Sequence, residues 1–144
     1  MQMKPVRISG MGKYLPRRVH SEEIEKMYGL PLGWSMKYSG VETRHHVEKE
    51  YNGYMGARAA EDALEMAELK LKDIDMLIAA SATRDHIVPS QASITKEAMK
   101  DGGRVDCPAL DIGSTCLSFV SAFDYAATIL NGKEFKNVLI VSSE

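Results

Sequence analysis

The sequence predicts an α/β chain on a mostly parallel sheet, and three observations carry that reading. Short apolar runs at Ile74 to Ala80, Ala109 to Ile112 and Val138 to Val141 alternate with longer stretches of helical periodicity, the order of βαβ units. The run Ile74-Asp75-Met76-Leu77-Ile78-Ala79-Ala80 is nearly continuous in its apolar character, which fits a strand covered on both faces. With 144 residues, 44% apolar and 26% charged, the chain holds one ordinary domain's worth of core. That composition excludes wholesale disorder, a collagen-like rod and a coiled coil.

In chain order, Val6 to Gly12 is expected to open the fold as a strand that breaks on its glycines and then on Pro16. Ser21 is placed to cap a short helix through Glu22, Glu23, Ile24 and Met27, whose acidic first turn suits the positive helix end, with Gly29 and Pro31 as the stop. Leu32 to Tyr51 is irregular around Trp34, Gly40 and His45-His46. Asn52-Gly53 opens the clearest helix, with Met55, Ala59, Ala63, Leu64 and Ala67 on one face and Arg58, Glu61, Asp62, Glu65 and Glu68 toward water. After the strand at Ile74 to Ala80, Pro89-Ser90 starts a helix expected to run to Gly102-Gly103. Ala109 to Ile112 is the next strand. Gly113-Ser114-Thr115 then turns into a helix from Cys116 to Leu130, closed by Asn131-Gly132, and Val138 to Val141 is the last strand.

One of these helices asks for more cover than its neighbours can give. Between Cys116 and Leu130 the sole charge is Asp124, while Leu117, Phe119, Val120, Phe123, Tyr125, Ile129 and Leu130 are spread around the circumference. A helix apolar on all sides calls for burial on all sides. The chain also stops at Ser142-Ser143-Glu144, directly behind a strand. A further partner surface is therefore expected.

Charge and motif content exclude several classes. A net charge of −2 and a pI near 6.1 argue against nucleic acid as a partner. The apolar runs are too short for a bilayer, and Met1 to Arg7 has no apolar core of a secretory signal, so a cytoplasmic chain is expected. Cys107 and Cys116 make neither a zinc pattern nor a disulfide framework. His20, His45, His46 and His86 lack ligand spacing, so no metal is expected. Gly10-Met11-Gly12 lacks the third glycine of a dinucleotide fingerprint, and with no CxxC pair or phosphate loop a redox or flavodoxin-like reading is poorly supported.

Cys116 is the residue with chemistry to offer. It follows a buried strand and a Gly-Ser-Thr turn and stands at the expected helix start. There the helix dipole favours a thiolate, and free N–H groups can hold the oxyanion of an attacked thioester. A small buried cysteine filling core space is the competing reading. Cys107, beside Pro108, is expected to be inert. Trp34 is either a nucleobase platform or a core anchor.

These residues resemble the amino-terminal half of a ketoacyl-acyl-carrier-protein synthase III, of the thiolase superfamily. The resemblance runs through Gly10-Met11-Gly12-Lys13-Tyr14-Leu15-Pro16, Trp34, Ser39-Gly40-Val41-Glu42-Thr43-Arg44, Arg58 to Leu64, Ile74 to Ile78 and the Pro89-Ser90 loop. Its most specific part is Leu110-Asp111-Ile112-Gly113-Ser114-Thr115-Cys116-Leu117-Ser118-Phe119, in which Cys116 falls on the family's acyl-accepting cysteine. Where the family tends to small residues and glycine after that cysteine, Leu117 and Ser118 stand here.

The resemblance implies a thiolase-like fold in which residues 1–144 form one amino-terminal half, with the carboxy-terminal half absent. It implies an acyltransferase of fatty acid biosynthesis. Acyl-CoA loads the cysteine, and malonyl-acyl-carrier protein then decarboxylates and condenses, using a His and an Asn of the second half. No bound cofactor or metal is implied, since the CoA thioester is a substrate. Trp34 matches the tryptophan that packs on the CoA adenine. Tyr38 stands where an arginine is common, with Lys37 as a substitute cation. Val88 matches the residue that reaches across a dimer into the partner's acyl pocket. The implied partners are acyl-CoA, acyl carrier protein and either a second copy or a separate carboxy-terminal half. A half-subunit paired with a separate partner, or another superfamily acyltransferase such as a hydroxymethylglutaryl-CoA synthase, is the alternative.

Overall fold

A computed structural model describes residues 5–144. They form two compact units: Leu15–Glu50, and the chain on either side of it, through Tyr14 and from Tyr51 to Glu144.

The smaller unit is a two-stranded antiparallel ribbon with two short helices. Strand β1 (Arg17–His20) pairs with β2 (Thr43–His46), so Arg17 faces His46 and His20 faces Thr43. Between them lie α1 (Ser21–Tyr28) and α2 (Trp34–Ser39). Gly29 ends α1 in the left-handed conformation at φ 64°, as its place after the last turn predicts. Ser21 is not the cap. It is the first helical residue, and its hydroxyl donates to the Val41 carbonyl at 2.6 Å, tying α1 to the approach to β2. The stretch expected to be irregular thus contains both α2 and β2. His45 Nδ1 donates to the Pro16 carbonyl at 2.8 Å, a structural use of that ring.

The larger unit is built on the parallel sheet that the sequence predicts. Its strand order is β4 (Ala109–Asp111), β3 (Met76–Ala79), β5 (Val138–Val141), all parallel, with Leu77 opposite both Ala109 and Leu139. Alternate residues face opposite sides. Leu77, Ala79, Leu139 and Val141 pack on α3 (Asn52–Met66) and α4 (Gln91–Ala98) through Ala57, Ala60, Leu64 and Ala92. Ile78 and Ala80 pack instead on α5 (Ser118–Leu130) through Ala122 and Ala126.

Three further expectations need correction. Val6 to Gly12 forms no strand. Gly10 and Gly12 press directly on the α3 backbone, where a Cβ would collide with the Ala63 and Ala59 carbonyl oxygens, and the segment lines an apolar cavity of about 410 Å³ beside β5 instead of pairing with it. The buried stripe of α3 is Asn52, Gly53, Met55, Gly56, Ala57, Ala60 and Leu64, while Ala59, Ala63 and Ala67 are half-buried. Small residues win that face because α3 runs close to the sheet: a Cβ on Gly56 would stand 2.9 Å from Val141 Cγ1. Finally, α4 stops at Ala98, and Gly102–Arg104 forms a separate single turn. Its start is as expected, with the Ser90 hydroxyl accepting the Ser93 amide at 3.2 Å.

Among the described residues, no helix is long and apolar enough to cross a membrane.

Candidate active site

Because β3, β4 and β5 are parallel, the loops that follow them leave one edge of the sheet together, the usual place for chemistry in such folds. Three carboxylates organise that edge. Asp111, ending β4, accepts the first amides of α4, Gln91 N at 3.0 Å and Ala92 N at 2.7 Å. Asp85 does the same for α3, accepting Asn52 N at 2.8 Å and Gly53 N at 2.7 Å, and also takes the Gln91 side-chain amide at 3.0 Å. Glu144 accepts the Ala82 and Thr83 amides and the Thr83 hydroxyl.

Burial pushes the Asp85 carboxyl up, but the Gln91, Gly53 and Asn52 hydrogen bonds outweigh it and hold it below its ordinary value. Glu144 follows the same pattern: burial raises it, and the Thr83 and Ala82 donors bring it below the usual range. None of these groups was singled out from the sequence. The readable signals were an Asn-Gly helix start at Asn52 and a Pro-Ser start at Ser90.

The segment between β4 and α5 carries Cys116. Arg84 lies beside it, its Nη2 3.7 Å from where a Gly113 Cβ would stand and its Nε 3.7 Å from Asp111 Oδ2. The expected helix start at Cys116 moves two residues on, to Ser118. The cause is a tight turn in which Leu117 N bonds Ser114 O at 3.0 Å and Ser118 N bonds Thr115 O at 3.1 Å. Thr115 sits at φ 51°, a left-handed conformation that costs a β-branched residue about 1–3 kcal/mol and persists only when its surroundings hold it. Cys116 is exposed on this turn. In the first turn of α5, Ser118 N is spent on Thr115 O and Ser121 N on Leu117 O, and between them the Phe119 and Val120 amides have no backbone acceptor among the described residues. A thiol beside unspent backbone donors is an arrangement suited to attack on a thioester.

Cys107 is the opposite case. It is 2% exposed in the core beside Leu77, and burial pushes its thiol up. A protonated, covered thiol fits its expected inertness.

In the smaller unit, α2 brings together the three residues read as a CoA platform. The Trp34 and Tyr38 rings lie 4.9 Å apart between centroids, and Lys37 Nζ stands 5.1 Å from the Tyr38 ring centre. Trp34 is 42% exposed, so its ring does not fill a core. Glu25 holds this helix by its start, accepting Gly33 N at 2.8 Å and Ser35 N at 2.7 Å, and the Ser35 amide leads the effects that keep its carboxyl below the ordinary value. Val88 is exposed on the loop before α4. Among the described residues, no three His, Cys, Asp or Glu side chains are grouped to hold a metal ion.

No family model matches the chain. It is 34% identical over 142 residues to a β-ketoacyl-[acyl-carrier-protein] synthase III from Vesicomyosocius okutanii, spanning 98% of this chain and 44% of that protein. It is also 34% identical to the synthase III 1 of Deinococcus radiodurans, covering 99% of this chain and 41% of the relative. The crystal structure of 3-oxoacyl-[acyl-carrier-protein] synthase III from Aquifex aeolicus superposes with a TM-score of 0.85 at 29% identity, over 94% of this chain and 43% of that one. The chain therefore spans under half the length of the relatives it matches. It is similar to the amino-terminal part of these β-ketoacyl-[acyl-carrier-protein] synthases III, and its fold is thiolase-like.

Proposed function

We propose that this chain supplies the nucleophilic part of an acyl-thioester condensing enzyme of the synthase III type, with Cys116 as the acyl acceptor. The observation that carries the reading is the exposed Cys116 on a held turn, between the loop edge of the sheet and the first amides of α5. The Cys116 thiolate attacks the thioester carbonyl of acyl-CoA, the oxyanion is met by backbone N–H groups, and the C–S bond to CoA breaks with CoA thiolate leaving. Trp34 and Tyr38 stack on the adenine, Lys37 offers a cation to the phosphates, and Val88 contributes to an acyl pocket.

Decarboxylation of malonyl-acyl-carrier protein needs enolate-stabilising donors. The resemblance assigns these to a His and an Asn outside this chain. Losing one such donor costs about 10²–10³ in rate, so losing both stops condensation. The outward face of α5, with Phe119, Val120 and Phe123 exposed, supports a role beside another protein surface, from a second copy or from a chain bearing those residues. The reading goes with a cytoplasmic enzyme that takes acyl-CoA and acyl carrier protein and needs no cofactor.

Incubation of the 144-residue chain with acyl-CoA, followed by mass spectrometry, is expected to give an acyl adduct on Cys116. Added malonyl-acyl-carrier protein is expected to give no ketoacyl product. Absence of the adduct, or turnover by the chain alone, would refute the assignment.

A further inference from the structure

We infer that Ser118 is a positioning residue for Cys116: its hydroxyl clamps the turn that presents the thiol. This rests on the reading of Cys116 as acyl acceptor. From Gly113 to Val120 every residue is exposed except Ser118. The Ser118 Oγ accepts the Ser114 amide at 2.9 Å and donates to the Thr115 carbonyl at 2.7 Å. Ser114 and Thr115 precede the cysteine and Ser118 follows it, so one hydroxyl bridges across Cys116 and closes the turn.

A hydroxyl is the smallest side-chain group that donates and accepts at once, and this geometry uses both capacities. The bridge also accounts for Thr115 remaining at φ 51°. Without it, the Ser114 amide loses its acceptor and the Thr115 carbonyl keeps only the Ser118 amide. The thiol then samples several positions against the first amides of α5. An alanine or valine at this position lacks the bridge, whereas threonine retains it.

A purely structural role and a positioning role separate in one measurement. Alkylation by iodoacetamide needs only an exposed thiolate, while acyl transfer also needs the oxyanion to land on fixed donors. Loss of folded protein uncovers the buried Cys107 to iodoacetamide, whereas loss of position lowers the Cys116 ratio while Cys107 stays protected. Acylation of Cys116 by acetyl-CoA and its alkylation by iodoacetamide are followed by peptide mass spectrometry in the unsubstituted chain, Ser118→Ala and Ser118→Thr.

The ratio is expected to fall at least about tenfold in Ser118→Ala and to recover to within about threefold in Ser118→Thr. If the alanine variant fails to fold, the isosteric pair Ser118→Val and Ser118→Thr carries the same comparison, with valine low. A ratio unchanged by alanine or valine, or unrestored by threonine, overturns the inference and leaves the proposed function standing. An unsubstituted chain that alkylates at Cys116 yet never acylates there overturns both.

Discussion

The two faces of the β4–β3–β5 sheet come from the same alternating strands, yet they are covered differently. Leu77, Ala79, Leu139 and Val141 on one face meet α3 and α4 and are all buried. Ile78 and Ala80 on the other pack on Ala122 and Ala126 of α5, and beyond that seam Leu117, Phe119, Val120 and Phe123 remain exposed. The more apolar helix is therefore the less covered one. Burial follows the small-residue stripe, which lets a helix approach the sheet, more closely than it follows hydrophobicity. The two cysteines divide the same way: Cys107 belongs to the covered core, and Cys116 leads the half-covered helix.

Substitutions can break this comparison. The largest effect is expected from Cys116→Ala, which abolishes acyl transfer, while Cys107→Ala leaves transfer intact and costs about 1 kcal/mol of stability; acyl-enzyme mass spectrometry and thermal melts read the two. Next, Leu77→Ala on the covered face is expected to cost about 2–5 kcal/mol in denaturant unfolding, against about 0.5 kcal/mol or less for Val120→Ala on the open one. Equal costs would mean that the α5 face is already covered in solution.

Smaller effects probe the loop edge and the platform. Asp111→Ala strips the acceptor from the Gln91 and Ala92 amides and is expected to cost about 1–2 kcal/mol. Asp85, Glu144, Asp75 and Glu25 are all held below their ordinary values, so the unfolded chain binds their protons first. Stability from these groups is present above the unfolded values, 3.8 for Asp and 4.5 for Glu, and is lost as pH falls through the lower folded ones. Denaturant midpoints that stay flat between about pH 6 and pH 3 would contradict that sign.

The sheet was legible in the sequence because its strands lie in short apolar runs separated by stretches of helical periodicity. The Val138–Val141 strand was placed to the residue. The antiparallel ribbon was not, because Arg17-Arg18-Val19-His20 and Thr43-Arg44-His45-His46 are polar apart from the buried Val19 and offer no apolar run. The Val6 to Gly12 segment has a strand's composition but packs its glycines on a helix. Cys116 could be proposed from the strand-turn-helix order, whereas Lys37, Tyr38, Val88 and the CoA role of Trp34 came from the resemblance alone, because the stretch that holds α2 reads as irregular. The carboxylates Asp85, Asp111 and Glu144 could not, because each caps a backbone group remote in sequence. The two-residue delay of α5 comes from the tight turn closed by Leu117 N on Ser114 O and Ser118 N on Thr115 O, and no periodicity reports such bonds.

Cys116, on the open face, is the proposed nucleophile, and competitive labelling of the folded chain sets it directly against Cys107. Iodoacetamide is added at limiting concentration near neutral pH, and both cysteines are quantified by peptide mass spectrometry. The account predicts that Cys116 is modified well before Cys107, which is covered and has its thiol pushed up by burial. Equal modification, or Cys107 first, would contradict it.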